Sequence, residues 1–270
     1  MKLTVAEQLT REPKLWRRQV LSALFVALAL AWSMSAIQFN TGGSSGYSVA
    51  ANIFKGLLSP NPTLLFTFKT NGVAYLLLET MCIAFLGTLV GAVIAVPVSF
   101  LSATNIVGKP IALVGRIVIM AIRTIPALVY GLKFIMVTGP GPFAGLMTMS
   151  LTSVGMLSKM FIETIEDLDK GILESLDAAG CTLFQKIRYG IIPQLSASFL
   201  STLIYRFDMN LRDATVLGLV GAGGIGAPLI FAMSSYRWND VGAILVGLVI
   251  LVLIVEWFSS TIRDRLMRGW

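Results

Sequence analysis

The chain has 270 residues, 56% of them hydrophobic and only 13% charged, with a net charge of +7 and no histidine. A water-soluble domain of this length carries about twice that charged fraction, so the composition excludes one. The missing histidine excludes histidine-based catalysis, histidine metal ligation and a histidine proton relay.

Residues 1–18 are polar and basic, and Arg17 and Arg18 abut an apolar run over 19–38. The small residues from Ser33 to Ala36 are compatible with signal-peptide cleavage, but the length of the run favours a retained anchor. Residues 39–71 are rich in Gly, Ser, Asn and Pro and read as an external loop, with a short helix expected around Val49 to Leu58. Runs that approach or exceed the roughly 20 apolar residues needed to cross a bilayer follow at about 73–101, 111–137, 143–162, 194–220 and 240–260. Pro97 and Pro126 are expected to kink their helices, which a bundle tolerates where neighbours satisfy the freed carbonyls. Trp32, Trp238 and Trp257 lie near span ends, the place of interfacial anchors. Cys82 and Cys181 are far apart in sequence, lack a metal-type spacing and read as small packing residues. The fold class is therefore all-α, a polytopic membrane protein with about six transmembrane helices. Residues 1–71 form an N-terminal segment, first helix and loop, 72–262 a core, and 263–270 a tail.

Six spans put both termini on one side. That side collects Lys2, Arg11, Lys14, Arg17, Arg18, Lys109, Lys159, Lys170, Lys186, Arg188, Arg263, Arg265 and Arg268, against Lys55, Lys69 and Arg237 on the other. The asymmetry places the termini and the 163–193 loop in the cytoplasm. It also accounts for the net positive charge without nucleic acid.

Within that loop, Glu174 to Pro193 reads ESLDAAGCTLFQKIRYGIIP, a polar segment between apolar runs. Its grammar is two short helices with a break. Ile172, Leu173 and Leu176 give the first an apolar side, and Gly180 sits where a helix end takes left-handed geometry. Thr182 precedes Gln185 at capping-box spacing. Leu183, Phe184, Ile187 and Ile191 form one apolar stripe, and Pro193 takes a first-turn position in the next helix. Such a pair reads as a connector on the lipid headgroups or as a docking element. Glu163, Glu166, Asp167 and Asp169 form an acidic cluster on the same side, either a solvated face or a contour beside the docking element.

The run Tyr205-Arg-Phe-Asp-Met-Asn-Leu-Arg-Asp213 puts four ionisable groups inside the fifth span. They are expensive there and usually face a bundle interior or water. At 100° per residue Arg206, Asn210 and Asp213 share one face, while Asp208 and Arg212 lie nearly opposite at i, i+4 spacing. Either the set locks helices together, or one face lines a substrate route in which Arg206 and Arg212 attract an oxyanion. Arg123, just before Pro126, is a candidate third member or a paired, snorkelling arginine. Gly221 to Gly226 reads GAGGIG but follows a hydrophobic helix with no βαβ unit around it, so it is read as turns and close helix approach.

The loop resembles the cytoplasmic "EAA" loop of ABC importer permeases through Glu174, Ala178-Ala179, Gly180, Ile192 and Pro193. It departs at Ser175-Leu176, where two alanines usually follow the acid, and at Gly190, where an isoleucine is expected. Together with RTIPALVYGLKF at 123–134, GPGPFAG at 139–145 and LIYRFDMNLRDATVLGLVGAGGIG at 203–226, residues 72–260 look like the permease subunit of phosphonate ABC importers. Methionine and other amino-acid permeases have similar loops but are not expected to carry the YRF run; they are the alternative reading. The resemblance implies a type I ABC importer fold in a prokaryotic inner membrane. It also implies a second copy of this chain, two ABC ATPase subunits, a periplasmic or lipid-anchored substrate-binding protein, and membrane lipid around the assembly. Glu174, Asp177, Ala178, Ala179, Gly180, Thr182, Leu183 and Phe184 would then couple to the ATPase, and Arg123, Arg206, Asn210, Arg212 and Asp213 would line the pathway. No catalytic residue, metal site or cofactor is expected on this chain, ATP and Mg being carried by the partner. An intramembrane phosphate hydrolase lacks a constellation here, and the loop argues against an uncoupled channel or scaffold.

Overall fold

The computed structural model describes residues 16–36, 45–67 and 72–268. Lys2, Arg11, Lys14 and Lys69, counted above for orientation, lie outside these residues, as does the end of the expected tail. The chain divides into two compact units, Met1–Ala50 and Ala51–Trp270. In the first, helix α1 spans Trp16–Ala36 and exposes every side chain described, Trp32 included. Helix α2, Ser45–Leu58, starts four residues before the Val49 expected and ends at Leu58 as expected.

In the second unit the elements run α3 (Pro62–Leu65), α4 (Val73–Ser102), α5 (Lys109–Thr124), α6 (Ala127–Thr138) and α7 (Pro142–Glu166). They continue with α8 (Lys170–Ala178), a short α9 (Leu183–Gln185), a π-helical stretch Lys186–Ile191, α10 (Ile192–Leu219), α11 (Gly226–Ser234) and α12 (Trp238–Arg268). The described residues contain no strand.

The central pair is α4 and α7, and glycine sets their separation. A Cβ on Gly87 would stand 2.4 Å from Met149 Cβ, and one on Gly91 2.4 Å from Ser153 Cβ. The GTLVG repeat at 87–91 thus lets two backbones approach, the small-xxx-small device that replaces hydrophobic driving force in lipid. Ile83, Ala84, Met149, Leu211, Ala214 and Leu217 bury α10 against that pair. Toward the α8 end, Phe199 stacks on Phe161 at 4.4 Å between ring centroids and meets Phe100 edge-on. Hydroxyls in this interior donate to carbonyls one turn back, as Thr88 does to Ala84 O and Thr148 to Ala144 O, both at 2.7 Å. At the opposite end Leu57, Leu64 and Leu65 pack on a cluster of Val73, Ile225, Leu229 and Ile244. Trp238, expected as an interfacial anchor, packs on this cluster, with its Cβ pressed against Gly56. Trp257 is exposed as an anchor should be.

The two prolines behave differently. Helix α4 continues through Pro97. The single span expected at 111–137 is instead broken at Ile125-Pro126, where α5 and α6 meet at 83°. Ile125, held before a proline, adopts φ −88° and ψ 125° rather than helical angles. The carbonyl of Ile122, which the missing Pro126 N–H leaves free, accepts the Tyr130 hydroxyl at 3.1 Å.

By length and composition four described helices can cross a membrane, or five if the bent α5–α6 pair counts as one. The remaining expected span, the fifth in chain order, is α10, with 28 residues and a length of about 42 Å. Its four charged side chains keep it out of a count made on hydropathy.

Candidate functional site

The segment at 170–193 is built as two arms and a corner. Asp169 caps α8 by accepting the Gly171 N–H at 2.9 Å. Its far end closes with Gly180 N–H on Asp177 O at 2.9 Å and Cys181 N–H on Leu176 O at 3.1 Å, a Schellman motif. Gly180 sits at φ +72°, a conformation in which a side chain is strained. Thr182 N–H then donates to Gln185 Oε1 at 2.8 Å, completing the capping box of the second arm. An ion pair between Lys186 and Asp177 ties the arms together.

The second arm does not end before the next span, as the two-helix reading had it. It runs into α10 through the π-helical stretch, where Ile192 N–H reaches back to Ile187 O. Pro193 has no N–H to offer Tyr189 O, and its ring clashes with a carbonyl four residues back; a wider turn avoids both problems. The wider turn also splits the expected apolar stripe. Ile187 and Ile191 pack inward with Phe100, Ile165, Leu173 and Leu195, whereas Leu183 and Phe184 are 49% and 68% exposed. Glu174, Ala178 and Ala179 are exposed on the same arm-and-corner surface.

The two departures from the EAA pattern touch each other. A Cβ on Gly190 would lie 2.3 Å from Leu176 Cδ1. Leucine in place of alanine on one arm thus fills the space left by glycine in place of isoleucine on the other.

Inside the bundle the charged run of α10 sorts into two groups. Arg206, 5% exposed, donates to Ser153 Oγ at 3.2 Å, Thr152 Oγ1 at 3.1 Å and Met156 Sδ at 3.1 Å, with Asp213 at 4.0 Å. Asn210, fully buried, donates to Thr88 Oγ1 at 2.8 Å and Ser153 Oγ at 2.7 Å, while its own Oδ1 has no partner among the described residues. On the other side Arg212 bridges Asp208 at 2.9 Å and Glu256 of α12 at 3.3 Å. Arg123 joins neither group. Its side chain lies beside Gly155 on another face of α7 and, among the described residues, makes no hydrogen bond or ion pair.

One turn at a time below Arg206 on α10 come Thr202, Ser198 and Gln194. These three, with Ser201, Thr164, Asp167 and Asp169 and the apolar Leu168, Ile172 and Leu195, line an open cavity of about 520 Å³ beside α8. Thr202, at the edge of this cavity, stands one turn from Arg206 on the same face of α10.

Sequence reasoning passed over Glu79, Thr80 and Glu256. Glu79 Oε1 accepts the Gly224 N–H and Thr80 Oγ1 the Ile225 N–H, both at 3.0 Å. These bonds hold the turn in which Gly221, Gly223 and Gly224 all have positive φ. The signal was present, since Glu79 and Glu256 are lone carboxylates inside apolar runs. The hydroxyls Thr88, Thr152 and Ser153 gave no such signal.

Comparison with known proteins agrees with this architecture. Residues 95–268 match the family described as "Binding-protein-dependent transport system inner membrane component". The chain is 35% identical over 190 residues to a phosphite transport system permease protein of Stutzerimonas stutzeri, covering 70% of this chain and 69% of that one. It is 34% identical over 196 residues to a phosphate-import permease protein of Mycolicibacterium smegmatis, covering 72% of this chain but 37% of that longer protein. Among solved structures, the inward-facing MetNI methionine ABC transporter superposes with a TM-score of 0.63 at 22% identity, over 72% of this chain and 95% of that one. The all-α architecture is thus that of type I ABC importer permeases, and the chain belongs to the family of binding-protein-dependent transport system inner membrane components.

Proposed function

We propose that this chain is the permease subunit of an ATP-driven importer for a phosphorus oxyanion: phosphonate, phosphite or phosphate. The observation that carries the reading is the stiff, capped corner at Gly180, continuous through the π turn with the helix that holds Arg206. A motor gripping the exposed Leu183 and Phe184 in a groove would thereby move the element bearing the buried guanidinium. The named relatives, one handling phosphite and one phosphate, favour a phosphorus oxyanion over methionine or another amino acid. A buried guanidinium held by the hydroxyls of Thr152 and Ser153 suits a tetrahedral oxyanion.

In this reading two copies of the chain form the pathway, and a two-fold axis lets one gene supply both handles. Two ATPase subunits carry ATP and Mg, and an external binding protein delivers the anion. The termini and the 163–193 segment face the cytoplasm, in keeping with the lysine and arginine asymmetry. Alternating access follows from rocking the two copies about the pathway.

The test is co-purification in mild detergent followed by uptake in proteoliposomes. An ATPase subunit is expected to accompany the chain, and ATP-dependent uptake of phosphite, phosphonate or phosphate is expected when a binding protein is present. Uptake of methionine in preference to any phosphorus anion would reject the substrate class.

A further inference from the structure

A face of α7 other than the one that Arg206 touches carries a basic crevice. It has a volume of about 200 Å³ and lies between α5 and α7, lined by Arg116, Arg123, Lys159, Ile119, Ile162 and the carboxylates Glu163 and Glu166. Gly155, Lys159, Ile162 and Glu166 point roughly a quarter turn away from Thr152, Ser153 and Met156, at 100° per residue. The crevice is therefore separate from the contacts of Arg206.

Its charges do not cancel. Glu166 is committed to Arg116 and to the backbone and hydroxyl of Thr104. Glu163 pairs with Lys159 at 3.2 Å, both half exposed. Arg123 is the third cation and has no carboxylate partner among the described residues. The crevice opens beside an apolar surface, since Leu113, Ile117 and Met120, on the adjoining side of α5 at 100° per residue, are each more than half exposed. Cations inside one leaflet, next to a hydrocarbon-facing helix, match a molecule with an anionic head and apolar tails. Isolated charges at such depth are costly unless paired, and anionic lipid concentrates in the cytoplasmic leaflet.

We infer that the α5–α7 crevice binds the phosphodiester headgroup of an anionic phospholipid, held by Arg123 and Lys159, with acyl chains along the exposed face of α5. The inference uses the cytoplasmic orientation proposed above but not the identity of the transported anion. The bend at Pro126 places Arg123 at the last turn of α5, so a bound headgroup would brace α5 against α7.

Native mass spectrometry of the full-length chain tests this, with phosphatidylglycerol and phosphatidylcholine of matched acyl chains as probes. One phosphatidylglycerol per chain is expected to be retained in preference to phosphatidylcholine. Each basic side chain near an anionic lipid surface is worth roughly fivefold in affinity, so R123Q with K159Q should lower retention on the order of 20-fold. The charge-preserving R123K with K159R should retain most of it, which separates headgroup binding from loss of fold. Equal retention of the two lipids, or no effect of the glutamine pair, overturns the inference. Displacement of the lipid by millimolar inorganic phosphate also overturns it, since the crevice would then be a free-anion site. None of these readouts involves transport, so failure of the importer reading would leave them unchanged.

Discussion

At the scale of single residues, Arg206 is the group on which structure and function compete. It is buried, and its donors are spent on Ser153, Thr152 and Met156 rather than on a close carboxylate. A purely structural arginine is better served by a bidentate acid, and Asp213 stands off at 4.0 Å. Neutral hydroxyls and a thioether are ligands that an incoming anion can displace. Hydrogen bonds to a charged group contribute roughly 1.5–3 kcal/mol. Arg206→Ala is therefore expected to lower uptake on the order of 10- to 100-fold while the complex still assembles, measured as transport beside size-exclusion profiles. Poor assembly with unimpaired specific transport in the surviving complexes would assign Arg206 to scaffolding instead. The two-sided arrangement of this run was legible from spacing alone, since helical periodicity separates Arg206, Asn210 and Asp213 from Asp208 and Arg212. The partners were not legible, because Thr88, Thr152 and Ser153 are ordinary residues whose role comes only from the approach of α4 and α7.

At the scale of elements, the bent segment makes two predictions. The first concerns the Leu176–Gly190 contact. Gly190→Ile should destabilise the chain by roughly 1–3 kcal/mol through overpacking, and Leu176→Ala added to it should recover most of the loss. A thermal-unfolding double-mutant cycle in detergent reads this directly, and additive losses would mean the two positions are not coupled. The second concerns Gly180, whose φ of +72° imposes about 1–3 kcal/mol on a β-branched residue. Gly180→Val is expected to insert normally yet to lose most binding-protein-stimulated ATPase activity. Full stimulation would remove the corner from the coupling path. Much of this element was written in the sequence, because caps use few residue types at fixed offsets, as Gly180, Thr182 and Gln185 do. The π turn was not written there. Proline at the start of a helix usually follows a break, and only the packing of Ile187 and Ile191 against Phe100 and Ile165 makes the continuous path worth its wider turn. For the same reason Pro126 read as a kink: nothing in the sequence says that Tyr130 waits to take the Ile122 carbonyl.

At the scale of the whole molecule, orientation follows from where basic residues gather. In a variant whose native Cys82 and Cys181 are replaced, Phe184→Cys should react with a membrane-impermeant maleimide only from the cytoplasmic side. Tyr236→Cys, exposed beyond α11, should react only from outside. Reversed labelling would place the handle where no ATPase can reach it. The span count was legible for the apolar helices and blurred for α10, because Arg206, Asp208, Arg212 and Asp213 lower the hydropathy that identifies a span.

The unbroken route from the Schellman corner through the π turn into α10 leaves no swivel between the handle and the bundle. A lever without a joint passes on rotation as well as push. A twist applied at the corner would therefore reach Arg206 without loss and strain its bonds to Ser153 and Thr152.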